Sequence, residues 1–275
     1  MLFATDLDGT LVGRYGRIHE RDIAAIRKAR ARGVIFTIAT GRLTSGTHPI
    51  ARELGLDAPL ICADGGITAC GKTEELLVRR PIPMPEVERI LALFAEKTLS
   101  TFVFTHDTIH ACERGIVHHP YVSGWSPSIT THADVASADA WRSGPSGAVM
   151  MVGIGEPAHV DAIAGLLAGE RSELDALVFG FGDHSSKVVR FVARGVSKGA
   201  AVAALAEKLG IAREHVAVAG DWHNDVSMFE WAGRSYAMPH APRELKDRAT
   251  TTLEHGSYEK GGVAEALERW QAELG

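Results

Sequence analysis

Short apolar runs alternate with longer amphipathic stretches in the first quarter of the chain. The apolar runs have the length of buried strands, whereas the longer stretches carry apolar residues at helical spacing. Polar or glycine-rich residues follow the apolar runs, and a glycine follows each amphipathic stretch as a helix stop. The pattern predicts strands at 2–4, 34–39 and 60–63 and helices at 20–32 and 43–54. This order is typical of a parallel α/β sheet.

The same alternation returns after Gly195. Ser197 is a good N-cap for a helix over 198–209, because a serine side chain can accept a hydrogen bond from the first turn. The rest of the pattern predicts strands at 215–219 and 235–238, a short helix near 242–248 and a final helix that contains Val263, Leu267 and Trp270. These elements are expected to complete the sheet that the first segment begins.

The middle of the chain follows a different pattern. Residues 67–80 read as a polar hairpin, and Pro81, Pro83 and Pro85 mark a boundary after it. The pattern then predicts helices at 86–97 and 157–168 and strands at 101–105, 108–112, 149–154, 177–182 and 187–193, and it gives no assignment for 113–146. We predict a doubly wound, Rossmann-like parallel-sheet core of residues 1–81 and 190–275, with an α+β domain of residues 82–189 inserted into it.

The composition is that of an ordinary globular protein, with 275 residues, 45% hydrophobic and 23% charged. A net charge of −5 gives no sign of a surface for nucleic acid or anionic membranes. No apolar run reaches the roughly 18 residues of a membrane span. Three widely spaced cysteines without a CxxC motif favour free thiols in a reducing cytoplasm. Because the chain begins on a predicted strand, we expect no signal peptide and a cytoplasmic monomer or small homo-oligomer.

Asp6 and Asp8 follow the first predicted strand. Two carboxylates two residues apart share one side of an extended chain, and Gly9 allows the backbone to turn directly after them. A bare pair of this kind is also compatible with an inert, solvated strand end. An EF-hand calcium loop is excluded, because Leu11 stands where its invariant glycine belongs and Arg17 where its glutamate belongs.

Other chemistry-bearing residues are predicted at the same edge of the sheet, where ligands of parallel α/β folds bind. Thr40 ends the second strand, and Asp221, Asn224 and Asp225 follow the strand at 215–219. Lys198 begins a helix, where its charge opposes the helix dipole unless an anion lies beside it. Each residue alone has an ordinary alternative: a structural threonine, an exposed lysine or a capped turn.

Four motifs, in this order along the chain, resemble the phosphatases of the haloacid dehalogenase superfamily. The motifs are Asp6-x-Asp8-Gly9-Thr10, Thr40-Gly41-Arg42, the GVSKG sequence at 195–199 and the GDxxNDxxMF sequence at 220–229. The resemblance covers essentially the whole chain and is closest to the Cof-like branch, which carries a large α/β cap after the third strand. It implies that residues 82–189 form a cap that closes over the site and selects the substrate.

The resemblance also implies a role for each motif residue. Asp6 would be the nucleophile and Asp8 the general acid and base, while Lys198 would hold the nucleophile and the phosphoryl group. The expected phosphate-binding residues are Thr40, Gly41, Lys198 and Asn224. Mg²⁺ is a hard ion that prefers oxygen ligands, and the expected ligands are Asp6, the backbone carbonyl of Asp8, and Asp221. Asp225 is expected behind them, aligning Lys198 or a metal-bound water.

The implied activity is Mg²⁺-dependent hydrolysis of small phosphorylated metabolites, such as sugar phosphates or cofactor phosphates, through an aspartyl phosphate. Two alternatives remain open: a phosphomutase that uses the same phosphoaspartate, and a non-catalytic binding or regulatory protein on the same scaffold. Intact Asp6, Asp8, Lys198 and Asp221 argue against the second alternative.

Two departures from the family pattern bear on the substrate. Asp64-Gly65-Gly66 stands where Asn-Gly-Ala is usual, and Trp222-His223 is bulkier than the common small residues. We expect possible substrate contacts from Arg42, Asp64, Gly65, Trp222, His223 and His184. The thirteen histidines are expected at the surface or lining a pocket rather than binding a metal.

Overall fold

The computed structural model describes residues 1–13, 16–142, 147–167, 172–181, 185–256 and 260–273. The chain forms two compact units. The core unit contains Met1–Gly41, Thr47–Leu77 and Ser197–Gly275, and the inserted unit contains Arg42–Gly46 and Val78–Val196. The domain limits expected from the sequence, 1–81 with 190–275 and 82–189, stay a prediction.

Among the described residues, the first segment carries five strands and two α-helices. In chain order these are β1 (Leu2–Thr5), α1 (Glu20–Ala31), β2 (Ile35–Ile38), α2 (Thr44–Glu53), β3 (Leu60–Cys62), β4 (Ile67–Ala69) and β5 (Leu76–Arg79). The start of α1 is capped by His19, whose ring nitrogen accepts a hydrogen bond from the backbone N–H of Arg21 at 3.2 Å. The helix ends at Ala31, and Gly33, two residues further on, has the positive φ of +84° that often follows a helix end.

The part of the middle segment that the structure describes carries six strands and four α-helices. They are α3 (Met84–Glu96), β6 (Ser100–Phe104), β7 (Ile109–Cys112), α4 (His119–Val122), β8 (Ile129–His132), α5 (Asp139–Arg142), β9 (Met150–Gly155), α6 (Pro157–Leu167), β10 (Leu174–Phe181) and β11 (Ser186–Ala193). The strands form one sheet in the order β10-β11-β9-β6-β7-β8. Every pair is antiparallel except β7 and β8. Apolar residues of α3 and α6, among them Ile90, Phe94 and Ile163, pack with Phe191 in the core of this unit.

The last segment returns to alternating helices and strands. They are α7 (Lys198–Lys208), β12 (Val216–Gly220), α8 (Val226–Trp231), β13 (Arg234–Ala237), α9 (Arg243–Lys246), β14 (Thr251–Thr252) and α10 (Gly262–Glu273). Strands from both ends of the chain form one parallel sheet in the order β14-β13-β12-β1-β2. This arrangement confirms the predicted α/β fold with a parallel-sheet core.

Both faces of this sheet are covered, as a doubly wound fold requires. Alternate residues of β1 point to opposite faces. Leu2 and Ala4 belong to a buried cluster with residues of α7 and α8. On the other face, the Phe3 ring stacks on Phe36 with centroids 5.6 Å apart and lies 5.8 Å from the Trp270 ring of α10. The short apolar strands are therefore buried on both sides.

One strand departs from the prediction. The pattern placed β3 with the parallel sheet, but among the described residues its ladder pairing on that side is limited to an isolated parallel bridge between Ile61 and Ala39, the residue after β2. Its regular pairing is antiparallel to β4, and β3, β4 and β5 form a separate three-stranded sheet. The physical reason is the turn after β3, where Ala63, Asp64 and Gly65 all have positive φ and reverse the chain. The predicted hairpin at 67–80 thus belongs to a sheet that begins at β3.

Within the described residues, no helix has both the length and the apolar character needed to cross a bilayer.

Candidate active site

The carboxyl ends of two neighbouring parallel strands bring two aspartates together. β1 and β12 pair in register from Leu2 with Val216 to Thr5 with Ala219. Asp6 follows β1, and its backbone N–H donates to the carbonyl of Ala219 at 2.9 Å. Asp221 follows β12 at the same edge. Two residues that are far apart in the sequence therefore lie at adjacent strand ends.

Lys198 connects two carboxylates beneath this edge. Its Nζ donates to Oδ1 of Asp6 at 2.6 Å and to Oδ1 of Asp225 at 2.7 Å, and its side chain has no exposed surface. The lysine is the first residue of α7, which Ser197 caps by accepting from the N–H of Ala200 at 3.1 Å. The predicted exposed-lysine alternative does not hold, because this lysine is fully buried.

Gly199 fixes how closely α7 approaches the loop that carries Asp225. A Cβ at this position would lie 2.1 Å from the backbone carbonyl oxygen of Ser227, which is closer than any real Cβ contact. The backbone N–H of Gly199 also donates a hydrogen bond to the Ser227 hydroxyl at 3.0 Å, which further fixes the position of Gly199. Glycine at this position therefore lets Lys198 reach the Asp225 carboxylate.

Asp225 holds the loop after β12. Its Oδ2 accepts from the backbone N–H groups of Asp221 at 2.9 Å and Trp222 at 3.0 Å, while its Oδ1 accepts from Lys198. A Cβ on Gly220 would lie 2.5 Å from the Asp225 carboxylate, so the strand can pass this side chain only as glycine. Asp225 thus hydrogen-bonds to both Lys198 and the backbone of Asp221.

Three groups contact or crowd the Asp221 carboxylate. Its Oδ1 accepts from the Thr10 hydroxyl at 2.6 Å, and its Oδ2 lies 3.3 Å from Nε2 of His240. Gly9 has a φ of +86°, and a Cβ there would lie 2.3 Å from Asp221 Oδ2. Sequence reasoning assigned no role to Thr10 or His240. The only available signals were their places in the DxDGT motif and in the loop after β13.

The buried carboxylates suit a divalent cation. Asp6, Asp221 and Asp225 each offer an oxygen, and these oxygens lie within 4.8 Å of one another. Taken together, these three carboxylates and the ammonium of Lys198 carry a formal charge of −2 in their ionised forms. A small hard cation with oxygen ligands would compensate that charge. Both carboxylate oxygens of Asp225 already accept hydrogen bonds, from Lys198 and from two backbone N–H groups. For this reason Asp6 and Asp221 are the better metal ligands of the three.

The pKa shifts follow from the same charges. Burial raises the pKa of Asp6 well above its usual range; Lys198 opposes this, and the charges of Asp225 and Asp221 add to it. Burial also raises the pKa of Asp225, against the opposing charge of Lys198. Burial by itself would lower the pKa of Lys198, but Asp225, Asp6 and Asp64 outweigh it and raise that pKa. The lysine therefore stays charged. Its single positive charge does not compensate all of the neighbouring carboxylates.

Thr40, Asp64 and Asn224 form a second group beside this cluster. Thr40 is buried; its N–H donates to the carbonyl of Ile61 at 2.9 Å and its carbonyl accepts from Asp64 N–H at 3.0 Å. The Asn224 side-chain amide donates to Asp64 Oδ1 at 2.8 Å. Asp64 itself has a φ of +52°. The acidic residue that departs from the family pattern is thus bonded directly to a predicted phosphate-binding residue.

The other predicted residues lie in several places. Asp8 is exposed and pairs through its backbone with Val12, whereas Gly41 is half-buried at the end of β2. Gly65 has a φ of +99°, and its Cβ would lie 2.3 Å from the Ser197 carbonyl oxygen. Arg42 belongs to the inserted unit and donates to the carbonyl of Gly46 at 3.3 Å.

Two aromatic residues follow Asp221. Trp222 is 42% exposed, and its ring meets the His223 ring edge-on with centroids 5.0 Å apart. Nε2 of His223 lies 3.7 Å from Glu244. His184, the remaining predicted substrate contact, lies outside the described residues.

Comparison with known proteins identifies the family. Residues 3–267 match the model of the haloacid dehalogenase-like hydrolases, and the chain belongs to that family. It is 28% identical over 269 residues to the pyridoxal phosphate phosphatase of Escherichia coli, with 92% of each chain covered. It is 26% identical over 292 residues to a 5-amino-6-(5-phospho-D-ribitylamino)uracil phosphatase of Bacillus subtilis, with 95% of this chain and 94% of that protein covered.

Solved structures share the fold. A haloacid dehalogenase-like hydrolase from Bacteroides thetaiotaomicron matches with a TM-score of 0.81 at 23% identity, covering 98% of both chains. A sugar phosphatase of subclass IIB matches with a TM-score of 0.76 at 20% identity, again over 98% of both chains. The family match confirms the predicted superfamily, and the named relatives support the prediction that the chain is a phosphatase.

Proposed function

We propose that this chain is a Mg²⁺-dependent phosphomonoester hydrolase that acts on small phosphorylated metabolites through an aspartyl phosphate. The observation that carries the proposal is the buried contact of Lys198 with both Asp6 and Asp225, beside Asp221, at the carboxyl ends of β1 and β12. A nucleophilic carboxylate needs a fixed orientation and a neighbouring positive charge, and Lys198 supplies both.

Asp6 is the nucleophile in this proposal. One of its carboxylate oxygens forms a bond to phosphorus while the bond from phosphorus to the ester oxygen breaks. Asp8, two residues along the chain and exposed, gives its proton to the departing oxygen. Asp8 then takes a proton from water as that water attacks phosphorus and releases Asp6 together with inorganic phosphate.

Hydrogen-bond donors around the phosphoryl oxygens stabilise the transition state, which is the usual main contribution in phosphoryl transfer. We assign the Thr40 hydroxyl and the Gly41 N–H to this role, as the sequence motif suggests. A side-chain amide carries two N–H donors. One of those of Asn224 donates to Asp64, and the second is the one that we assign to phosphate.

Mg²⁺ would be held by Asp6, Asp221 and the backbone carbonyl of Asp8, and it would neutralise negative charge on the phosphoryl group. The excess of buried carboxylates over ammonium groups supports a cation at this place. Thr10 and His240 would hold Asp221 in position for it. Asp225 would align Lys198 rather than the ion.

The relatives support small phosphorylated substrates. Their names describe phosphatases of pyridoxal phosphate and of a ribitylaminouracil phosphate, and both compounds join a planar ring to a phosphate group. Exposed Trp222 beside Asp221 is a surface on which a planar ring can stack. Cofactor phosphates of this kind are therefore the first substrates to test, with sugar phosphates next.

The test is inorganic phosphate release from a panel of phosphorylated metabolites, measured with Mg²⁺ and with excess EDTA. We expect turnover that requires Mg²⁺, needs no bisphosphate activator and is lost in Asp6→Asn. Asp247→Asn, a change of an exposed aspartate on the surface of the core unit, is the matched control and should keep full activity. Conversion of a monophosphate to its isomer, with a bisphosphate required and no inorganic phosphate released, would instead indicate a phosphomutase. The absence of turnover across the panel would contradict the proposal.

A further inference from the structure

An exposed apolar strand lies at the edge of the three-stranded sheet. β5 is its terminal strand among the described residues. Leu76, Leu77 and Val78 are 38%, 38% and 40% exposed. Side chains on both faces of the strand are therefore in solvent, and an open apolar edge of this kind is a template for pairing with another strand.

The charges that flank this strand are arranged asymmetrically. Glu74 and Glu75 precede the apolar residues, and Arg79 and Arg80 follow them. Charges that protect an edge strand from self-pairing repel a second copy of the strand. Here the two ends carry opposite signs, so two copies in antiparallel orientation attract each other at both ends. A parallel pairing would instead place like charges opposite each other.

We propose that two copies of this chain associate through antiparallel pairing of their β5 strands about a two-fold axis at Leu77. This register places Leu77 opposite itself, Leu76 opposite Val78 and Glu75 opposite Arg79. Residues directly opposite each other lie on the same face of the paired strands, so every apolar side chain meets an apolar one. Shifting the register by one residue places an apolar residue opposite a charge.

The backbone of β5 fits the same register. The carbonyl of Glu75 accepts from the N–H of Cys70 at 2.8 Å, so this carbonyl points toward the residue that follows β4. Since backbone groups alternate along a strand, those of Leu76 and Val78 point to the open edge. In the proposed dimer Leu76 and Val78 form the hydrogen-bonded pairs, and Leu77 forms the closer, non-hydrogen-bonded pair. Symmetry makes the contact self-complementary, as a two-fold interface requires.

Charge reversal tests the pairing. We expect sedimentation equilibrium to show a dimer that weakens as salt is added, because exposed ion pairs are screened. Arg79→Glu should raise the dimer dissociation constant by about tenfold or more, since it places like charges opposite each other twice. Adding Glu75→Arg to that variant restores opposite charges and should restore the dimer. Arg27→Glu, at an exposed position of α1, is the matched control.

Cross-linking tests the register. Leu77→Cys places two thiols opposite each other at the close pair, where a disulfide can form, whereas the thiols of Leu76→Cys lie on a diagonal that is too long. Oxidation should join two copies of the tryptic peptide 73–79, which contains no native cysteine, in the first variant only. A monomeric wild-type protein at submillimolar concentration, a dimer insensitive to Arg79→Glu, or equal cross-linking of both cysteine variants would overturn the proposal.

Discussion

Replacing Lys198 by methionine tests whether one buried ammonium balances the carboxylates of the site. The side chain is fully buried, and its Nζ lies 2.6 Å from Asp6 Oδ1 and 2.7 Å from Asp225 Oδ1. Methionine keeps most of the volume but removes the charge, so that two buried carboxylates lose their shared donor. Removing one partner of a buried ion pair lowers the free energy of unfolding by about 3–5 kcal/mol, and we expect a loss of that size.

The assay is urea unfolding in the presence of EDTA, followed by circular dichroism and by tryptophan fluorescence. The midpoint should fall while the slope of the free energy against urea stays constant, because the same surface becomes exposed on unfolding. Lys208→Met is the matched control on the same helix, since Lys208 is exposed near its C-terminal end. That change should alter the free energy of unfolding by no more than about 0.5 kcal/mol.

Added Mg²⁺ gives this experiment a second readout. Without the ammonium, the three carboxylates carry one more uncompensated charge, so Mg²⁺ should stabilise Lys198→Met more than it stabilises the wild-type protein. Phosphate release by the variant should still be lost, because Asp6 would no longer be oriented. If the variant is as stable as wild type in EDTA, or if Mg²⁺ stabilises both proteins equally, the charge balance that we infer is wrong.

Three further changes test separate parts of the structure. With p-nitrophenyl phosphate, Asp8→Asn should give a burst of about one phosphoenzyme per site. The p-nitrophenolate of the substrate leaves without a proton, whereas hydrolysis of the phosphoenzyme lacks the Asp8 carboxylate as its base. Rapid-quench mass spectrometry should find the phosphoryl group on Asp6. His240→Ala should weaken Mg²⁺ binding about tenfold in calorimetry, since it frees Asp221 from one contact, and unchanged affinity would contradict this. Burial raises the pKa of Asp22 to about 7 from an ordinary 3.8, so the folded protein keeps a proton that the unfolded chain loses. The stability that the protonated Asp22 carboxyl contributes is present at low pH and is lost as pH rises from about 4 to 7. Asp22→Asn should remove this loss of unfolding free energy between about pH 4 and 7, as measured by urea unfolding.

The sequence was sufficient to predict the positions of the strands that build the parallel sheet. β1, β2 and β12 are buried on both faces, so they read as short continuous apolar runs that end in glycine or polar residues. Their carboxyl ends meet at one edge in any parallel sheet, and for that reason the acids after β1 and β12 could be expected near each other. Lys198 could be expected there because its helix begins at the same edge.

The inserted unit was harder to predict, because its elements depend on contacts that are distant along the chain. Residues 113–146 allowed no assignment, yet they contain α4, β8 and α5. β8 is a strand because it pairs in parallel with β7 from Ile109 with Ile129 to Cys112 with His132. Its own residues are half exposed and show no clear alternation. β10 begins at Leu174, earlier than expected, because it pairs with β11 along its whole length.

The same distinction applies within the site. Carboxylate, lysine and threonine side chains indicate their chemistry in the sequence itself. The sequence does not indicate which atoms lie close to a glycine in the folded protein. At Gly9 a Cβ would lie 2.3 Å from an Asp221 oxygen, and at Gly199 a Cβ would lie 2.1 Å from the carbonyl oxygen of Ser227. In both cases the two residues are far apart along the chain, so these short distances are known only from the folded backbone. The glycines of the motifs therefore set how closely the charged groups approach, and this spacing lets Lys198 reach two carboxylates at once.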